Sequence, residues 1–222
     1  MSTGGWEALI EAAFRTSDYS EARVLLEKNL AEADGEAAEA TASHELGWLL
    51  HFEALDRLID GGEAGDIDAE EALFQRALTI RRQLGDTGGV AQSAFGLGLV
   101  HQVLRRDWGT AVPLFQEALD LAQDLLTKSE AHRHMGFYYL YEAKQPDEAV
   151  RHLRASLDLR HEYRDERWTP SGTMALGQAY LAAGDRAEAI KLLRQAVQES
   201  RDAGLHPRRT ARAEQTLREA LE

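Results

Sequence analysis

The sequence predicts an all-α fold, a stack of about five antiparallel helical hairpins followed by one further helix. Three observations lead there. The dipeptides Leu97-Gly98, Met135-Gly136 and Leu176-Gly177 each precede by 12 or 13 residues an alanine (Ala111, Ala149, Ala189) that opens another amphipathic segment. Apolar residues recur at intervals of three and four almost everywhere, without the sustained alternation of a strand. Only four prolines interrupt the 222 residues. Self-similarity of this kind implies an elongated stack in which each unit contacts mainly its sequence neighbours, leaving a continuous concave face that the core does not require.

The helices are delimited by local stop and start signals. Breaks are expected at Thr16-Ser17-Asp18, Ala33-Asp34-Gly35, Asp60-Gly61-Gly62, Gly85-Asp86, Arg106-Asp107, Gln145-Pro146-Asp147, Trp168-Thr169-Pro170, Gly184-Asp185 and Gly204 through Pro207. Each supplies a capping oxygen, a helix-ending glycine or a proline suited to a first helical turn. The resulting organisation is one domain over residues 1–222, with repeats at 3–34, 36–85, 87–124, 125–165 and 169–204 and a terminal helix at 207–221.

In order along the chain, the first hairpin carries Trp6, Leu9, Ala13, Ala22 and Leu26, with Ile10 where later units have glycine. The second begins at Leu46-Gly47 and carries Phe74 and Ala77 on its second helix. The third reads Leu97-Gly98, Ala111, Phe115 and Ala118, with His101 at a position that is tyrosine further on. Met135-Gly136, Tyr139, Ala149, Leu153 and Ser156 form the fourth. The fifth, Leu176-Gly177, Tyr180, Ala189, Leu193 and Ala196, is similar to the tetratricopeptide pattern of Leu-Gly, then Tyr, then Ala and a bulky residue four later. The glycines are spaced 38 apart from Gly98 to Gly136 and 41 from Gly136 to Gly177. That period, longer than the common repeat, resembles the extended tetratricopeptide repeats of bacterial regulators and the kinesin light chain. From Gly47 to Gly98 the interval is 51, so an acidic loop is expected as an insertion near residues 57–68. Arg208, Arg209, Arg212 and Arg218, with Ala211, Leu217 and Leu221, suit a cap that is polar outside and apolar inside.

The family resemblance implies a right-handed superhelical solenoid whose first helices face the concave side. Groove positions would then lie three before, one after, four after and five after each glycine. In this chain those positions hold His44, Trp48, His51 and Phe52, then Phe95, Leu99, Gln102 and Val103. Next come Arg133, Phe137, Leu140 and Tyr141, and finally Met174, Gln178, Leu181 and Ala182. Such an apolar, aromatic strip with one cation fits a protein or peptide segment, and a small molecule is the other partner considered. The competing reading is that the strip is ordinary core. The carboxylate-clamp subfamily needs lysine and asparagine in the first groove helix, where Glu7 and Glu11 stand instead and would repel a terminal carboxylate.

Charge and composition narrow the function. The net charge is −13, and residues 1–127 hold 9 Lys/Arg against 23 Asp/Glu, whereas 128–222 hold 16 against 15. The acidic half repels phosphate backbones, so no nucleic-acid partner is expected. The arginines Arg151, Arg154, Arg160, Arg164 and Arg167 interleave with Asp158, Glu162, Asp165 and Glu166, which predicts a solvated, salt-paired face. The unequal halves also make head-to-tail homo-oligomers a possible arrangement. The absence of cysteine removes disulfides and thiolate chemistry together. No leader-like start or bilayer-length apolar span is read in the sequence, so no membrane partner and a cytoplasmic location are expected. Arginine outnumbers lysine and alanine is abundant, which suggests a bacterial source.

Catalysis finds little support. Eight histidines invite a metal, but His132 and His134 point in nearly opposite directions on a helix, and His44 and His51 lie about 10 Å apart along one. A composite of His51 with His101 is the remaining pairing. Asp60, Glu63, Asp66, Asp68 and Glu70 lack the glycine and the twelfth-position glutamate of a calcium loop and read as helix caps and loop. No phosphate loop, nucleophile elbow or zinc helix signature occurs. The reading is thus a non-catalytic interaction scaffold with no catalytic residue, metal or cofactor. The alternative is a small-molecule-binding regulator or unusual enzyme using His44, His51, His101 and Arg133.

Overall fold

The computed structural model describes residues 4–222, so the first three positions, with which the predicted domain and the repeat 3–34 begin, lie outside the described residues. Eleven helices are found among them: α1 (Gly4–Glu11), α2 (Ser20–Ala31), α3 (Glu36–Ile59), α4 (Ile67–Leu84), α5 (Thr87–Leu99), α6 (Trp108–Leu121), α7 (Leu125–Phe137), α8 (Pro146–Tyr163), α9 (Thr169–Ala182), α10 (Arg186–Asp202) and α11 (Pro207–Leu221). They form sequential antiparallel pairs, α1/α2 through α9/α10, with α11 against α10. The chain divides into two compact units, one ending at Ala122 and one beginning at Gln123. No helix among the described residues is long and apolar enough to cross a membrane.

Both the starts and the ends of the helices follow repeated local rules. Asp66, Asp86, Asp107, Asp124 and Asp185 each accept a hydrogen bond from the backbone N–H three residues on, at 2.8–3.1 Å. These caps satisfy donors that a helix start leaves unpaired. The first helices of three hairpins end in a widened π-type turn, over Ala12–Thr16, Val100–Leu104 and Tyr138–Glu142. Each turn is closed by a bond five residues back, such as Arg105 N–H to Val100 C=O at 3.0 Å and Ala143 N–H to Tyr138 C=O at 3.0 Å. A left-handed residue, Arg106 or Lys144, then starts the return.

The repeat glycines are explained by close approach. A Cβ on Gly47, Gly98, Gly136 or Gly177 would sit 2.5–2.9 Å from a side-chain atom of Phe74, Phe115, Leu153 or Leu193 respectively. In every pair the absent methyl admits the bulky residue of the second helix, which is buried almost completely. In the first hairpin, where Ile10 replaces the glycine, Gly5 plays this part against Leu26, at 2.7 Å.

The insertion expected as an acidic loop near 57–68 is largely helix. α3 continues twelve residues past Gly47, to Ile59, whereas α9 stops five past Gly177. The exposed link to α4 covers only residues 60–66. Apolar periodicity does not end at residue 57, because Leu58 and Ile59 extend it even though both are exposed.

Each unit has its own core. In the first, rings dominate: Phe14, Trp48, Phe52, Phe74, Phe95 and Phe115 are all buried. In the second, aliphatic residues fill the interior, with Leu140, Leu153, Leu157, Leu176 and Leu192 in one cluster. A neighbouring cluster joins Met174, Leu193 and Val197 to Ala213 and Ala220 of α11. Leu217 also packs there, as expected of a terminal cap, while Leu221 is exposed.

Candidate functional site

The predicted strip divides sharply between the units. In the first, His44, Trp48, His51, Phe52, Phe95 and Leu99 are buried, and Gln102 and Val103 are half-buried. Trp48 lies at the centre of a ring cluster, with ring centroids 5.3 Å from Phe52, 6.0 Å from Phe95 and 6.3 Å from both Phe74 and Trp6. Its indole N–H donates to His44 Nε2 at 3.2 Å. Burial, assisted by the charge of Arg81, pushes His44 well below its ordinary value, so the ring is neutral and accepts. His51 Nδ1 meets Glu70 Oε1 at 2.7 Å, both side chains being 2% exposed. His101 faces Glu71 instead, at 3.9 Å. The three histidines considered for a pocket are therefore engaged inside the first unit.

In the second unit several of the corresponding positions reach the surface, although Leu140 and Met174 are buried. Arg133 and Phe137 are half-buried, Tyr141 is 47% exposed, Gln178 is half-buried and Met174 is buried. The Arg133 guanidinium lies 4.7 Å from the centre of the Phe137 ring, and that ring is 5.7 Å from Tyr141. The Tyr141 hydroxyl donates to Gln178 Oε1 at 3.5 Å, which ties α7 to α9. Thr216 on α11 donates to the Met174 sulfur at 3.8 Å, which ties α9 to α11. Arg133 has Glu130 at 3.7 Å, but its Nε is buried with no hydrogen-bond partner. Burial pulls Arg133 down to about 10; Glu130 opposes the shift, and the charges of Arg160 and Arg212 add to it. Arg133 thus shares one carboxylate with Arg160 beside the half-buried Phe137 ring and the exposed Tyr141 ring.

The arginine face expected to be solvated is only partly so. Arg151 pairs with Glu148 and Arg167 with Asp165 at the surface, but Arg160 is 1% exposed. Its guanidinium donates to Glu130, to Ser129 Oγ at 3.1 Å, to the Trp168 carbonyl and to Ser171 Oγ at 2.7 Å. It is buried because Gly172 leaves room for its stem, which a Cβ there would approach to 3.0 Å. Arg81 occupies the matching place in the first unit, donating to the Gly89 carbonyl and to Ser93 Oγ at 3.0 and 2.8 Å. Both arginines stand seven residues after the bulky second-helix residue, Phe74 or Leu153.

Two features escaped the sequence reading. Arg212 acts on both Arg133 and Tyr141 from a helix read as a cap. His132, considered only with His134, instead meets His152 across the α7/α8 hairpin, Nδ1 to Nδ1 at 3.2 Å. The antiparallel register gives the signal: the one that sets Ser129 against Ser156 sets His132 against His152. Burial chiefly, then repulsion from His152 and Lys128, lowers His132 to about 4.

Residues 128–198 match the sequence profile of the tetratricopeptide repeat. That segment contains Met135-Gly136, Tyr139, Ala149 and Leu153, then Leu176-Gly177, Tyr180, Ala189, Leu193 and Ala196, in the pairings just described. Over that segment, about a third of its length, the chain is similar to the tetratricopeptide repeat. The fold likeness reaches beyond the matched segment. BtubC (BKLC) from P. vanneervenii superposes with a TM-score of 0.61 at 20% identity, covering 84% of this chain and 74% of that one. The nearly identical TPR-like repeats of a Podosopora anserina protein described as a kinesin light chain give 0.55 at 19% identity, covering 88% and 92%. A single-substitution form of those repeats gives 0.56 at 18%, with the same coverage. No curated protein matches the sequence.

Proposed function

We propose that this chain is a tetratricopeptide-repeat protein and a non-catalytic scaffold that holds a peptide or protein segment on the face built by α7, α9 and α11 of the second unit. Arg133, Phe137, Tyr141 and Gln178 make the contacts, Met174 supports them from below, and Arg212 adds positive charge. The observation that carries the reading is the state of Arg133. Its guanidinium shares the carboxylate of Glu130 with Arg160 and feels the further positive charge of Arg212. An acidic side chain of a partner at the accessible edge of this cluster would offset the arginine charges, while Tyr141 and Phe137 provide aromatic anchoring. In this reading His44, Trp48, His51, Phe52, Phe95 and Leu99 contribute packing in the first unit rather than contact.

A peptide-display selection against the whole chain tests the proposal. The selected peptides should combine an acidic residue with an apolar one. Arg133→Gln should weaken them by about tenfold or more, corresponding to about 1.4 kcal/mol, with the melting temperature unchanged. Equal affinity for wild type and for both Arg133→Gln and Tyr141→Ala would overturn it.

A further inference from the structure

We propose that His132 and His152 form a two-imidazole site for a borderline divalent metal ion such as Zn2+. The pair sits on the α7/α8 hairpin, where Gly136 lets Leu153 enter and so brings the two helices close. The two Nδ1 atoms are 3.2 Å apart, and the ring centroids 5.2 Å apart at 51°. Two imidazole nitrogens bound at about 2.0–2.1 Å to one tetrahedral Zn2+ stand about 3.3 Å from each other. The helices therefore already hold the nitrogens at chelating separation. Binding requires that the proton now lying between them be displaced, that one ring change tautomer to carry its N–H on Nε2, and that both rings turn slightly so that their Nδ1 lone pairs converge on the ion.

The surroundings favour exchangeable binding rather than a closed structural site. Tyr139 stacks on His152, centroid to centroid 5.2 Å at 30°, and fixes the plane of that ring as a neighbouring group does for many metal-bound imidazoles. Both histidines are half-buried, so water reaches the pair. Glu148, one turn before His152, contributes negative charge, set against Lys128 beside His132 and Arg151 beside His152. Among the described residues no third His, Cys, Asp or Glu completes a set, so the remaining coordination positions fall to water or to a donor brought by a partner. Imidazole donors select Zn2+, Cu2+ or Ni2+ over the oxygen-seeking Mg2+.

The test is titration of the full chain with ZnCl2, followed by NMR of its histidine rings. One Zn2+ per chain is expected, with the His132 and His152 ring resonances shifting together to the pattern of Nδ1 coordination, a rise in melting temperature of several degrees, and no response to Mg2+. His152→Gln keeps a hydrogen-bonding side chain opposite His132, so it should fold with an unchanged melting temperature yet bind Zn2+ at least tenfold more weakly. His132→Ala should behave alike in binding. Ring resonances that stay in place as Zn2+ is added, or undiminished Zn2+ affinity in both variants, would overturn the proposal and leave the pair as a hydrogen bond alone.

Discussion

The two units use one repeat plan with different fillings, and the difference decides which aromatic residues are buried. In the first unit the second-helix bulky residues are Phe74 and Phe115, and the rings of Trp48, Phe52 and Phe95 close around them. In the second they are Leu153 and Leu193, and the aromatic residues at groove positions, Phe137 and Tyr141, remain at least partly accessible. Aromatic residues gain beyond simple area when they meet edge to face or tilted, so a ring already in the core recruits its neighbours. Where leucine fills the same slot, aliphatic packing is complete without them. The position just after the repeat glycine is therefore buried in the first unit, as Trp48 and Leu99, and half-buried in the second, as Phe137 and Gln178.

The largest effect that would break this comparison is loss of a buried ring. Trp48→Ala should cost ~3–5 kcal/mol, as large-to-small changes of buried aromatics do, whereas Phe137→Ala should cost about 1 kcal/mol or less. Urea unfolding of both variants measures the contrast, and equal costs would remove it. Next in size are the buried arginines. Glu130→Ala strands the Arg160 charge and should cost ~3–5 kcal/mol, while Asp86→Ala, whose partner Arg81 keeps the Gly89 carbonyl and Ser93, should cost far less. The same denaturation experiment reads both.

Smaller still are the glycine contacts. Gly98→Ala pushes a Cβ to 2.5 Å from the rigid Phe115 ring and should cost ~1–3 kcal/mol. Gly177→Ala meets only Leu193 and its neighbours, at 2.9 Å, and should cost less because leucine can turn aside. Equal costs would show that ring and leucine fillings are equally rigid. The smallest predicted effect is on pH. His44 is held well below the ordinary 6.5, so the unfolded chain takes up a proton first as the solution is acidified. Stability should be undiminished above pH 6.5 and decline as pH falls below it. His44→Gln should flatten the decline between pH 7 and pH 5, measured by urea midpoints.

The fold was legible because its rules are local. Gly-bulky pairings recur at fixed spacing, and aspartates such as Asp107 and Asp185 mark helix starts without reference to the rest of the chain. The site was less legible, because burial depends on what arrives from elsewhere. Nothing within the Trp48 segment announces that Trp6 will cover its ring, or that Glu70 will take His51. The arginine run around Arg160 read as solvated because intrahelical partners were visible, while Ser129, Glu130 and Ser171 lie on other helices. The His132 and His152 pairing was hidden for the same reason, since it follows from hairpin register rather than from spacing along one helix. The long α3 shows a further limit: exposed Leu58 and Ile59 extend a helix whose end the acidic residues seemed to set earlier.

Hydroxyl-radical footprinting of the intact chain tests the central contrast most directly, because it reads accessibility ring by ring. Tyr141 should be modified rapidly and Phe137 measurably, while Trp48, Phe52 and Phe95 stay protected until the chain unfolds. Modification of Trp48 as fast as Tyr141 under native conditions would contradict the account, by placing the aromatic strip of the first unit at the surface as well.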